Sequence, residues 1–284
     1  MPVPPPSFAG LLTDGVWLTA LTPVVVAAAV LYAGGVRRLA RRGRRWSPWR
    51  VVAFVAGLAM VVVATQSGLA RYDTVLFSAH MAQHTLLGMV APFLLALGAP
   101  VTLAVQASGR ATTTALLRIV HSAPVAAVSH PVVAWVLFGG TLFGLYFSPL
   151  FELSLRNDLV HEAMHLHFLV VGALFCWSAV GIDPVHWRLP HGTRALYVLL
   201  AVPFHAFLGI AIVSATAPLA DGFYADVTRT WGPDVLADQR IAGGFLWAVG
   251  DLFGLVAGAV VVGRWMRADE REAARADRAL DQLA

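Results

Sequence analysis

The chain contains no lysine: all twenty of its basic residues are arginine. It has one cysteine, Cys176, inside an apolar stretch, which excludes an intramolecular disulfide framework and a CxxC redox site. Charge is also scarce. Only 13% of the 284 residues are charged and 58% are hydrophobic, whereas soluble domains carry roughly a quarter charged residues. With a mean hydropathy of +0.71, the chain reads as a polytopic membrane protein. Its N-terminal MPVPPPSFAGLLTDG lacks a basic n-region, so the first apolar segment is expected to be a span rather than a cleaved signal. The net charge of +4 and the pI near 9.8 do not call for a nucleic-acid partner. The arginines sit beside apolar segments, where membrane orientation accounts for them better.

Crossing the ~30 Å hydrocarbon core takes ~20 apolar residues. Seven segments qualify: Trp17–Val36, Val51–Ala70, Thr74–Gly98, Pro131–Leu150, Asp158–Gly181, Arg194–Ala215 and Ile241–Met266. The expected fold is all-α, one integral membrane domain over 1–284 formed by a bundle of seven transmembrane helices. A short interfacial helix is expected near Ala111–Val120, and a cytoplasmic tail over 267–284. The first loop holds Arg37, Arg38, Arg41, Arg42, Arg44, Arg45 and Arg50. If that loop is cytoplasmic, alternation places sixteen arginines inside and leaves Arg71, Arg156, Arg229 and Arg240 outside. This positive-inside bias puts the N-terminus outside and the C-terminus in the cytoplasm. Nothing in the pattern fixes an oligomeric state.

Two histidine pairs at i, i+4 interrupt the apolar segments: His80 and His84 in one, His161 and His165 in another. Each pair projects from one helix face, one ring above the other. Counted at 1.5 Å per residue from the outer ends, these rings lie roughly 5 to 15 Å deep, and His205 and Asp251 roughly 15 Å deep. Intramembrane ionisable residues are functional-site candidates by default, and imidazole suits copper, zinc, iron and nickel. The candidate ligands are His80, His84, His161, His165 and His205. Gln83 and Met164 share the histidine-bearing faces, and Met81 is near. Asp251 is placed to orient a ring or to ligate directly. Thioether beside imidazole leans towards Cu(I) over zinc. Haem is less direct, because an i, i+4 pair cannot sandwich it and one histidine from each pair would be needed. Hydrogen-bonded core histidines and core methionines are the alternative. His121, His130, His186 and His191 fall in cytoplasmic loops. Asp238, Gln239 and Arg240 at the outer mouth offer contact to a partner or a surface salt bridge.

His161-Glu162-Ala163-Met164-His165 also matches HExxH, in which two histidines bind zinc and the glutamate acts as general base. Intramembrane zinc proteases need a third ligand, and the Asp221-Gly222 and Asp183-Pro184 pairs fall away from the outer-half histidines. A copper permease would need ligands continuing inward, where only Met89 and Cys176 stand.

The stretches His80–Pro100, Ser148–Pro184, PFHAFLG (Pro203–Gly209) and DQRIAGGFLW (Asp238–Trp247) occur in the order found in the CtaG family, which the chain resembles. These are the assembly factors of bacterial caa3-type cytochrome c oxidase. The resemblance covers nearly all of the chain after about Gly15. It implies a seven-span protein of the bacterial plasma membrane that supplies or inserts copper into the oxidase, whose subunits are its partners, and does not act as an enzyme. Relatives fused to a copper-import-type membrane domain carry the same implication. The family histidines correspond to His80, His84, His161, His165 and His205. The residue at the position of Glu162 varies among relatives, which weighs against a general base there.

Overall fold

A computed structural model describes residues 4–7, 10, 15, 16, 18–224, 226, 227 and 229–282. The described residues are helical or irregular and contain no strand. In chain order the helices are α1 (Thr22–Arg41), α2 (Pro48–Gln66), α3 (Leu69–Tyr72), α4 (Phe77–Thr85), α5 (Ala91–Leu97), α6 (Pro100–Ala107), α7 (Arg110–Val120) and α8 (Ala123–Val128). They continue with α9 (Pro131–Tyr146), α10 (Leu150–Arg156), α11 (Asp158–Val180), α12 (His191–Leu199), α13 (Ala201–Ser214), α14 (Asp221–Tyr224) and α15 (Val235–Asp281).

Among the described residues six stretches are long and apolar enough to cross a membrane: Thr22–Arg41, Pro48–Tyr72, Phe77–Ala107, Asp158–Val180, His191–Ser214 and Val235–Ala279. A seventh forms if α9 and α10, bent by 74°, cross together. Their outward faces carry large apolar side chains such as Val30, Leu31, Val136, Leu166, Phe207 and Leu255. Exposed apolar surface of this kind suits lipid, which is as apolar as the side chains.

The helix ends differ from the sequence expectation in instructive ways. The first span reaches Arg41, past the expected Val36, and its expected start at Trp17 lies outside the described residues. The last is a 47-residue helix, roughly 70 Å long, so it extends well beyond a bilayer core. Its arginine-rich end continues as exposed helix. The expected interfacial segment is α7, which buries no side chain.

The third span is not a continuous α-helix. Pro92 has no N–H to donate to the Gly88 carbonyl and crowds it, and the helix widens into a π-turn over Leu86–Val90 just before it. Pro203 explains the break between α12 and α13 in the same way. Further on, Ala99 adopts φ 52 before Pro100. The buried Asp183 carboxylate then accepts from the Val101 and Thr102 N–H groups, the Thr102 hydroxyl and the Trp177 indole. That carboxylate caps α6 and ties it to the end of α11.

Close backbone contact sets how α4 and α11 meet. A Cβ on Gly172 would lie 2.1 Å from the Gly88 carbonyl oxygen and 2.9 Å from Pro92 Cγ. Helices packed in lipid rely on such small-residue contacts. Gly209 and Gly243 bring α13 against α15 in the same manner, each Cβ position lying within 2.9 Å of the other's carbonyl oxygen. Gly172→Ala is expected to destabilise the protein by about 1–3 kcal/mol, the usual penalty of overpacking. Gly140→Ala, on a face with nothing within 4 Å, is expected to be neutral or stabilising. Thermal unfolding of the two variants in detergent checks the contrast, and equal melting would refute the contact.

Candidate metal centre

The centre is built from four helices and one loop. Asn157 caps α11 by accepting the Leu159 and Val160 N–H groups at 3.0 and 3.1 Å, which starts the helix just ahead of His161. The start of α4 is capped from a distance. Asp238 on α15 accepts the Phe77 N–H at 2.6 Å and the Ser78 hydroxyl at 2.5 Å. Helices α4 and α11 thereby present their histidines at matching levels.

The four rings form a ladder. Along the helices, His80 and His84 have ring centroids 4.0 Å apart, and His161 and His165 4.5 Å apart. Across the helices, His80 lies 5.6 Å from His161, and His84 lies 6.1 Å from His165. All four are buried, with His80 at 0% exposure. Imidazoles sharing a tetrahedral ion at ~2.0 Å per nitrogen would have centroids roughly 5 Å apart. The observed spacings bracket that value. Aromatic side chains close the cluster: Phe77, Tyr146 and Phe151 all contact the His80 ring, and Phe168 stacks on His84. Tyr146 and Phe151 reach the cluster together because the bend between α9 and α10 turns both inward.

Hydrogen bonds settle which nitrogens are free. Gln83 Nε2 donates to the Ala64 carbonyl at 2.9 Å, so its Oε1 is turned to accept from His165 Nε2 at 3.0 Å. His165 therefore keeps a lone pair on Nδ1. His161 Nε2 donates to Asp73 Oδ2 at 3.0 Å, which leaves a lone pair on Nδ1 of the neutral ring as well. The Tyr146 hydroxyl engages His84 Nδ1 at 3.0 Å. Within this cluster five buried imidazole nitrogens have no hydrogen-bond partner: both of His80, Nε2 of His84, and Nδ1 of His161 and of His165. Buried polar atoms without partners are costly and uncommon. A soft or borderline cation would take the lone pair of one nitrogen per ring, leaving the N–H of His80 without a partner, and imidazole donors of this kind suit copper or zinc.

Asp73 is the functional candidate that the sequence reading missed. It is 4% exposed, and its oxygen lies with nitrogens of His161 and His165 within 4.8 Å of one another. The available signal was a carboxylate just before the third span in a chain with only sixteen acidic residues. Its presence also removes the argument that no carboxylate accompanies the HExxH histidines. Glu162 of that motif places Oε1 3.9 Å from His165 Nδ1, and its Oε2 is buried without a partner.

The other sequence candidates fall in separate places. Among the described residues His205 makes no ring contact with the four; it donates from Nδ1 to the Ala201 carbonyl at 2.7 Å, its buried Nε2 has no partner, and Phe138 lies edge-on at 5.4 Å. Gly250 packs against that ring, and Asp251 beside it acts on it electrostatically. Met81 shares with His84 and Met89 the wall of a cavity of about 10 Å³. Met164 packs at the edge of the surrounding apolar core. Asp238 and Gln239, expected at an outer mouth, are buried and engaged within the chain: Asp238 caps α4, and Gln239 binds the Leu219 N–H and the Ile212 and Ala217 carbonyls. A polar residue near a helix end is drawn inward when it can satisfy orphan backbone groups there. Only Arg240 of the three is exposed.

A buried imidazole cluster between apolar helices defines a membrane protein with a metal-type donor set. The chain belongs to the cytochrome c oxidase caa3 assembly factor (Caa3_CtaG) family, whose model matches residues 30–268. It is 38% identical to uncharacterized proteins of Mycobacterium bovis and Mycobacterium tuberculosis, and 36% identical to one of Mycobacterium leprae. These alignments cover 98% of the chain but only 43% of each relative, so the chain spans less than half the length of the relatives it matches. No solved structure matches the chain.

Gln83→Ala removes the acceptor of the buried His165 N–H and the donor to the Ala64 carbonyl. A loss of about 1–3 kcal/mol is expected, read as a lower unfolding temperature of the purified protein. An unchanged temperature would mean that this amide does not hold the ring.

Proposed function

We propose that the chain acts in assembly of cytochrome c oxidase by binding copper, as Cu(I), among the four clustered imidazoles and passing it to an oxidase subunit. Family membership supports the assembly role. The metal role is carried by one observation: five buried imidazole nitrogens from two helices share a cluster and have no partner. The ion is cargo here, so it must be held tightly enough to load and loosely enough to leave. Neutral imidazoles, with Met81 lining the same small cavity as His84, suit exchange of Cu(I). Asp73 and Gln83 fix the tautomers of His161 and His165 by taking their Nε2 protons, leaving Nδ1 to face the ion. His205 and Asp251 then stand apart from the four-ring cluster. The arginine bias places this cluster near the outer face of a bacterial plasma membrane, where the N-terminus also lies.

A second reading has a specific observation behind it. Asp73, His161 and His165 also form a carboxylate–bis-histidine set with Glu162 adjacent, the donor pattern of a zinc hydrolase. The two readings part at two residues. Copper delivery requires His80 and His84 and tolerates Glu162→Gln; hydrolysis requires Glu162 and retains metal without it.

Purified wild type reconstituted with Cu(I) is expected to hold the ion stoichiometrically, and the His80→Ala, His84→Ala double variant to lose most of it. Cells carrying the double variant are expected to assemble little active oxidase, while Glu162→Gln cells remain close to wild type. Equal copper content in the two proteins would sink the copper reading. Loss of function in Glu162→Gln with metal retained would favour hydrolysis.

A further inference from the structure

A second built site lies at the opposite, arginine-rich end. A pocket of about 550 Å³ opens between the start of α2, the end of α5 and the C-terminal half of α15. Its basic wall is Arg50, Arg264 and Arg267, and its apolar wall includes Leu97, Val256 and Val260. Trp49 sits at its edge, 70% exposed. The charged groups acting on Arg264 are Arg194, Arg50, Arg267 and Arg271, all of one sign. Among the described residues no carboxylate forms an ion pair with any of them. Orientation alone requires arginines near this end but not inward-facing ones. Arg264 Nε is nevertheless buried without a hydrogen-bond partner. Ser47 also lines the pocket and makes no side-chain capping bond, while its carbonyl accepts the Arg50 and Val51 N–H groups.

We propose that this pocket binds the phosphate headgroup of an anionic phospholipid. Three guanidinium groups lining one pocket suit a phosphate, because the planar fork of arginine pairs with two oxygens at once. The apolar wall continues along membrane-spanning segments, which suits an acyl chain and not a soluble anion. Basic pockets between membrane helices hold acidic headgroups in this way.

Purified protein in neutral detergent is titrated with phosphatidylglycerol, phosphatidylcholine or inorganic phosphate, with binding read by native mass spectrometry and by unfolding temperature. Phosphatidylglycerol is expected to bind and to raise the unfolding temperature, with phosphatidylcholine and phosphate having little effect. The Arg264→Gln, Arg267→Gln double variant is expected to weaken that binding by about tenfold or more, while Arg275→Gln on the exposed tail leaves it unchanged. Equal binding of the two lipids, or undiminished binding by the double variant, overturns the proposal. Stabilisation by inorganic phosphate equal to that by phosphatidylglycerol assigns the pocket to a soluble anion and overturns the lipid assignment. Should the double variant fail to fold, wild-type binding that does not weaken with added salt overturns it as well.

Discussion

An imidazole ring always carries at least one polar nitrogen that needs a partner, and the interior of a helix bundle in lipid offers no water to supply it. The four clustered histidines impose that demand at one place, and much of the chain is arranged around it. Asp73 and Gln83 meet part of it, Tyr146 a further part, and five nitrogens remain. The arrangement depends on two helices meeting at backbone distance. Gly172 against Gly88 permits that, and the π-turn next to Pro92 lets α4 keep its histidine face towards α11.

The same donors serve two chemistries, and their neighbours distinguish them. Imidazole-only coordination draws on all four histidines and suits a soft ion that must move on. Adding Asp73 hardens the set towards zinc and brings Glu162 into range. Asp73 already accepts a hydrogen bond from the His161 Nε2–H, and in that role it orients a ligand without being one. The closed aromatic surround of Phe77, Tyr146, Phe151 and Phe168 leaves little room for a peptide substrate, which favours an ion as the thing handled.

The molecule is polar at two places for opposite reasons. One end gathers neutral nitrogen donors with acidic and amide partners. The other gathers guanidinium groups without carboxylates to offset them. Between them, spans lined by leucine, valine and phenylalanine keep the two chemistries apart. The proposed loading of the first site and the proposed lipid contact at the second would therefore make separate demands on separate helix ends, although α15 carries both Asp238 and Arg264.

Composition and hydropathy determined the all-helical membrane class, because apolar runs of sufficient length have few other stable homes. The i, i+4 spacing likewise determined that each histidine pair shares one helix face, since helical geometry is local. The four conserved-order stretches were enough to indicate the family. Tertiary structure alone decided that the two faces oppose each other, that His205 stands apart, and that Asp238 and Gln239 turn inward to satisfy helix ends. It also brought Asp73 to His161 across 88 positions of sequence. Periodicity reports which side of a helix a residue occupies but not what that side meets. The meeting is set by glycine contacts, proline breaks and distant caps, whose effects are felt only once the helices pack.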